Sequence, residues 1–232
     1  MKKVIVLSFI YVFSTLLANA VDDAQLIKEN SIQTRINTVG TNILNSNKLE
    51  DRVTFVYDAE GKKSLLKLDK ALTKRQVVVF GEYYKNIETD DELAAYIARE
   101  IPMAIRSYKG LGKGWLSSVK IKAAPKKYEL FFDKLAVDYM VKAGYNPLGL
   151  ITYINKTYPQ VTQDRFSSTN LTSKRLAIVY EKIYTQYPEF LVNNVYLKNK
   201  YYQNFLLTSQ ENRKKVVEKA NSPMTTKGIK YE

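Results

Sequence analysis

The stretch Thr89-Asp90-Asp91-Glu92-Leu93-Ala94-Ala95-Tyr96-Ile97-Ala98-Arg99-Glu100-Ile101-Pro102-Met103 decides the fold. Thr89 and Glu92 have capping-box spacing, in which the hydroxyl at the helix start and the carboxylate three residues on each satisfy a free backbone donor. Leu93, Tyr96, Ile97, Ile101, Ala104, Ile105 and Tyr108 then recur every three or four residues, which predicts a helix with an apolar stripe. Pro102 falls inside this pattern. It removes the hydrogen bond to Ala98 and crowds the preceding turn at a cost of about 3 kcal/mol, so a kink or break is predicted there.

Upstream, Asp22 to Asn47 carries Leu26, Ile27, Ile32, Ile36, Val39, Ile43 and Leu44 at helical spacing, the pattern of one or two amphipathic helices. Arg52 to Tyr57, Ser64 to Leu68 and Gln76 to Gly81 read as three short strands of a small antiparallel or mixed sheet. Downstream, Ser107 to Lys127 holds Gly110, Gly112, Gly114, the only tryptophan, Trp115, and six lysines, and reads as a basic loop. Lys127 to Ala143 is a helix with Gly144 as left-handed cap. A further helix starts at Asn146-Pro147 and runs to about Lys156, with others over Thr172–Tyr187 and Asn194–Ala220, the last broken near Thr208. The pattern is α+β, mainly helical, with a small three-stranded sheet.

The chain of 232 residues has 36 basic and 23 acidic side chains and neither histidine nor cysteine. Without cysteine there is no disulfide, no thiolate metal site and no cysteine to lipidate after a signal. Lys2 and Lys3, an apolar run from Val4 to Leu17 and the small residues Ala18-Asn19-Ala20 have the form of a secretory signal peptide cleaved between Ala20 and Val21. The expected division is therefore a signal peptide over 1–20, a single domain over 21–220 and a loose tail over 221–232, exported to the periplasm. Loss of Lys2 and Lys3 leaves 34 basic against 23 acidic side chains, a net charge of +11. Such a surface favours anionic partners. Export turns that expectation away from nucleic acid and toward lipid head groups or acidic proteins.

Three stretches together resemble the HtpX-like zinc metallopeptidases, gluzincins that include the CAAX prenyl protease. Val77-Val78-Val79-Phe80-Gly81 followed by Asp91-Glu92-Leu93-Ala94-Ala95 is similar to that family's strand and the entry to its His-Glu-x-x-His helix. Glu129-Leu130-Phe131-Phe132-Asp133 with Ala143-Gly144-Tyr145-Asn146-Pro147 is similar to its second motif and Gly-Tyr-Asp-Pro cap. Ser167-Ser168-Thr169-Asn170-Leu171-Thr172-Ser173-Lys174-Arg175 resembles its His-Pro-x-x-x-x-Arg segment. The resemblance covers about Val53 to Leu191 and implies a zincin-like, metalloprotease-like domain.

In such a helix two imidazoles at i and i+4 hold zinc, and the adjacent glutamate acts as base on the metal-bound water. By the resemblance Arg99 and Met103 stand at the two histidine positions, Glu100 at the base, Glu129 at the carboxylate ligand, Asn170 at the later histidine and Arg175 at the arginine near the cleft. Arginine has no free lone pair at neutral pH, and a thioether prefers soft metals. One carboxylate does not hold catalytic zinc. Only 25 residues separate Met103 from Glu129. No catalytic residue and no cofactor is expected, although active relatives would carry zinc.

The degenerate positions are then Arg99, Glu100, Met103, Glu129, Asp133, Asn170 and Arg175. If Glu129 faces the old metal position, the Arg99 guanidinium can stand in for the cation and pair with Glu129 and Glu100. The plain alternative makes Glu129 and Asp133 an i,i+4 pair facing solvent. The leading expectation is a non-catalytic pseudoenzyme holding a polypeptide client or envelope protein, with a sheet edge open to strand addition. An active metalloendopeptidase with an atypical oxygen-ligand site is one alternative. A binder of anionic membrane surfaces through Lys109, Lys113, Lys120 and Lys122 is the other.

Overall fold

The computed structural model describes residues 25–61, 74–109, 125–158, 170–221 and 230–231. The expected signal peptide and cleavage point, the strand over Ser64–Leu68 and nearly all of the basic loop lie outside them. In chain order the elements are helix α1 (25–46), strands β1 (Thr54–Asp58) and β2 (Gln76–Phe80), and helices α2 (Gly81–Tyr84), α3 (Asp90–Lys109) and α4 (Pro125–Lys142). They continue with α5 (Leu148–Thr157), α6 (Asn170–Gln186), α7 (Glu189–Val192), α8 (Lys200–Thr208) and α9 (Gln210–Asn221). The fold is α+β and mainly helical. Among the described residues the sheet has two strands, not three, and they pair in parallel, Thr54 opposite Gln76 through Asp58 opposite Phe80.

The decisive stretch forms the central helix. Every residue of α3 from Glu92 to Ala104 is buried, so its apolar stripe is in fact a full circumference. It packs against α4 on one side, α5 on another and β2 on a third. Ala94, Ala95, Ala98 and Ala104 leave room for these neighbours. The helix runs unbroken through Pro102, contrary to a break, because packing on all sides holds the turn that proline weakens. The capping box forms with a shift of one residue: Glu92 N–H donates to Thr89 Oγ1, and the Glu92 carboxylate accepts from the backbone of Glu88 rather than of Thr89.

The N-terminal helix is single, and its buried face starts at Ile32, with Leu26 and Ile27 exposed. Gly144 ends α4 at φ +80°. Its N–H reaches Val141 O, and Tyr145 N–H reaches Met140 O, the paired bonds of a left-handed cap. Asn146 caps α5 through its side chain, which accepts from Leu148 N–H. The expected break near Thr208 is present, α8 and α9 meeting at Ser209, whereas residues 194–199, expected to be helical, precede α8 as a turn and Asn199 caps it. Of the expected loose tail, Tyr231 is described, and it packs against Ala177 and Val216.

Gly149 marks the closest approach of α5 to α3. A Cβ there would lie 2.6 Å from Asp91 Cβ and 2.9 Å from its backbone carbon. Asp91 cannot yield, since Asn146 N–H donates to its Oδ1 and the Tyr196 hydroxyl to its Oδ2. Gly149→Ala is therefore expected to destabilise the domain by about 1–3 kcal/mol. A thermal melt should show this as a midpoint lower by about 2–4 °C for each kcal/mol.

Candidate functional site

A central helix buried all round must find partners for its charged residues, since an unpaired buried charge costs several kcal/mol. Arg99 finds them on α4. Its Nε donates to Asp133 Oδ1 at 2.5 Å and its Nη2 pairs with Glu129 Oε2. Arg175 comes in from α6, donating through Nε to Asp133 Oδ2 at 2.7 Å and through Nη2 to Oδ1 at 3.1 Å. The same Nη2 lies 3.7 Å from Glu129 Oε2. Four charges from three helices thus form one alternating cluster, with the Tyr158 ring beneath the Arg175 guanidinium at 5.3 Å. Asp133 is 0% exposed and Arg99 7%, while the Glu129 side chain keeps 38% exposure.

Burial by itself would raise the Asp133 pKa, but Arg99 and then Arg175 more than offset it and hold the carboxyl below its ordinary range. Burial would likewise lower Arg99; the carboxylates of Asp133, Glu129 and Glu100 outweigh it and hold the guanidinium well above its usual value. A carboxylate held low, with both oxygens accepting, is a poor general base near neutral pH.

The structure brings together Arg99, Glu129, Asp133 and Arg175. The expected Arg99–Glu129 pair is present, and the centre of the cluster is Asp133, on which both arginines converge. The solvent-facing reading fails for Asp133. Glu100 is buried beside the cluster, and its charge helps to raise the pKa of buried Tyr96. Met103 sits in the hydrophobic core and serves as packing. Asn170 opens α6, but its side chain, like those of Lys109, Lys113, Lys120 and Lys122, lies outside the description. Among the described residues no group of three or more Asp, Glu, His or Cys side chains is arranged around a shared metal position. The donor chemistry does not fit zinc either: both Asp133 oxygens and Glu129 Oε2 are bonded to guanidinium groups, and the chain has no imidazole or thiolate.

Two features escaped the sequence. One is a third buried cation, which serves the same central helix from outside it: Lys156 of α5 reaches Glu92 at 2.8 Å, Glu88 at 3.0 Å and the carbonyl of Asn86 at 3.3 Å. A helix-period count flags Lys156 as polar without saying what it meets. The other is a groove of about 590 Å³ at the sheet, lined by Gln25, Glu29, Tyr57, Glu60, Lys74 and Phe80 among others. A hollow of about 420 Å³ adjoins it and shares Gln25, Glu29, Tyr57 and Ala59. None of these residues belongs to the ion-pair cluster.

The sheet edges are less open than expected. On β1 the Gln33 side-chain amide mimics a strand, donating to Phe55 O at 3.0 Å and accepting from Tyr57 N–H at 2.7 Å. On β2 the Val78 carbonyl, which parallel pairing turns away from β1, accepts from the Tyr96 hydroxyl at 2.7 Å. Strand addition would have to displace these bonds. No protein-family model matches the chain, and no curated protein or solved structure matches it.

Replacing Asp133 by Ala leaves two buried guanidinium groups without their shared counter-ion, which is expected to cost about 3–5 kcal/mol. Because the folded-state pKa lies below the unfolded one, this stabilisation is complete above the ordinary carboxylate range and fades as pH falls through the folded value. The urea midpoint of the parent should accordingly drop on acidification below about pH 4. In Asp133→Asn the start is lower and the acid dependence shallower.

Proposed function

We propose that this chain is an exported, periplasmic protein on a zincin-like scaffold that has lost its zinc site and holds polypeptide instead of cutting it. The observation that carries the reading is the Arg99 guanidinium, bonded to Asp133 and Glu129 at the helix position where a metallopeptidase would present a nitrogen ligand. Two positive side chains already neutralise the carboxylates a dication would need, and Asp133 is held in its ionised, fully bonded form. The resemblance in the three sequence stretches supplies the scaffold. The cluster supplies the reason that the scaffold outlives the chemistry, because site and fold are separable.

Polypeptide is held in the sheet-side groove. Its walls mix apolar and aromatic surface with Glu29, Glu60, Lys74 and the amides of Gln25 and Gln76, a lining suited to an extended segment. With Gln33 and Tyr96 already bonded to the edges, recognition is by side-chain contacts rather than by a third strand. An envelope protein or a client in transit is the occupant this reading names.

The test has two arms. Purified protein dialysed against metal-free buffer should carry no stoichiometric zinc and should leave casein intact with or without chelator; bound metal with chelator-sensitive cleavage overturns the proposal in favour of an active metalloendopeptidase. A fluorescently labelled, permanently unfolded polypeptide should bind the protein by anisotropy, and reversing the charges with Glu29→Arg and Glu60→Arg should weaken that binding severalfold. Equal affinity of parent and variant would rule out the groove.

A further inference from the structure

The end of α7 and the turn that follows it to α8 hold three aliphatic side chains in solvent on a backbone that is pinned from within. Val192 is 81% exposed, Val195 75% and Leu197 55%, all within six residues. Between them Tyr196 points inward, 6% exposed, and its hydroxyl donates to Asp91 Oδ2 at 2.7 Å. Asn194 Oδ1 accepts from Tyr196 N–H at 2.8 Å, Asn199 N–H donates to Tyr196 O at 2.9 Å, and Asn199 Oδ1 accepts from Tyr201 and Tyr202. The exposed apolar groups are thus displayed by a rigid turn rather than left by a loose one. Scattered single apolar residues are ordinary on a surface; three on one anchored turn mark a contact site.

The flanking chemistry selects the partner. Lys198 and Lys200 are exposed at the end of the turn, with Lys200 Nζ 4.9 Å from the Tyr201 ring centroid. Of the nearby carboxylates, Glu189 is exposed and Glu88 is already paired with Lys156. Protein interfaces draw their affinity from Trp, Tyr and Arg and are depleted in Lys, whereas Val and Leu are poor anchors there. Aliphatic tips with ammonium groups behind them instead match a bilayer whose head groups are negative, the tips entering the acyl boundary and the lysines meeting phosphate. We propose that the Val192–Lys200 turn is a membrane-insertion loop for anionic lipid surfaces. It shares no residue with the sheet-side groove, so it stands or falls independently of polypeptide binding.

The absence of cysteine gives a clean probe. Protein in the form the cell accumulates is mixed with phosphatidylglycerol/phosphatidylethanolamine vesicles or with phosphatidylcholine vesicles, and binding is read by flotation. Binding should be selective for the anionic vesicles and should weaken with salt. Lys198→Gln with Lys200→Gln should reduce it about 30-fold. Val195→Ser with Leu197→Ser should reduce it about tenfold or more while leaving the circular dichroism spectrum unchanged. An environment-sensitive dye on Val195→Cys should shift to the blue on anionic vesicles, and the same dye on Glu218→Cys of α9 should not. The proposal is overturned by absence of binding, by binding that neither pair of substitutions alters, or by a shift at Glu218→Cys with none at Val195→Cys. A dimer dissolved by Val195→Ser with Leu197→Ser, without vesicle binding, assigns the turn to a second copy and overturns it as well.

Discussion

The structure depends on the charge balance of a helix whose middle, from Glu92 to Ala104, has no solvent face. Helix α3 is surrounded by α4, α5 and β2, and it carries Glu92, Arg99 and Glu100 inside that packing. Two of these set the neighbours' positions. Arg99 draws Asp133 and Glu129 of α4 and, through Asp133, Arg175 of α6; Glu92 draws Lys156 of α5. Apolar contact alone would let these helices slide along one another at little cost, whereas the bidentate geometry of a guanidinium on a carboxylate admits only one register. Whether such buried pairs add net stability over well-packed apolar residues is a separate matter; their removal one at a time is what is costly.

The same arrangement decides what the site can do. In a hydrolase a buried carboxylate near neutral pKa moves protons, and a metal polarises the substrate. Here the carboxylate at the centre is driven the other way by two arginines, and its lone pairs are spent on them. The recognition role proposed above would use space elsewhere, in the groove beside β1, β2 and the start of α1.

Much of this was legible from residue patterns. The Thr89–Glu92 box located the start of α3, and Gly144 followed by Asn146-Pro147 located the end of α4 and the start of α5, because caps are local chemistry. The Arg99–Glu129 pairing was anticipated only through the resemblance, which sets Glu129 at the carboxylate-ligand position facing the old metal site. What the pattern did not give is long-range. Asp133 reads as half of an exposed i,i+4 pair until α6 delivers Arg175 to it, 42 residues away. Helix α3 reads as one-faced because its alanines count little toward an apolar stripe, yet they are the places where neighbours come closest. Pro102 reads as a breaker until the surrounding packing is known. The parallel pairing of β1 with β2 depends on a crossover that no strand-length window contains.

The all-or-none character of the buried charges has a consequence for how the molecule responds to its surroundings. The chain has no histidine, the residue whose ordinary pKa lies between about pH 5 and 8, and the Asp133 carboxyl has been displaced further below that window by its two arginines. The Arg99–Asp133–Arg175 junction is therefore a rivet and not a sensor. A compartment whose acidity drifts with the outside medium would find the Arg99–Asp133 pair in the same charge state at either end of that range.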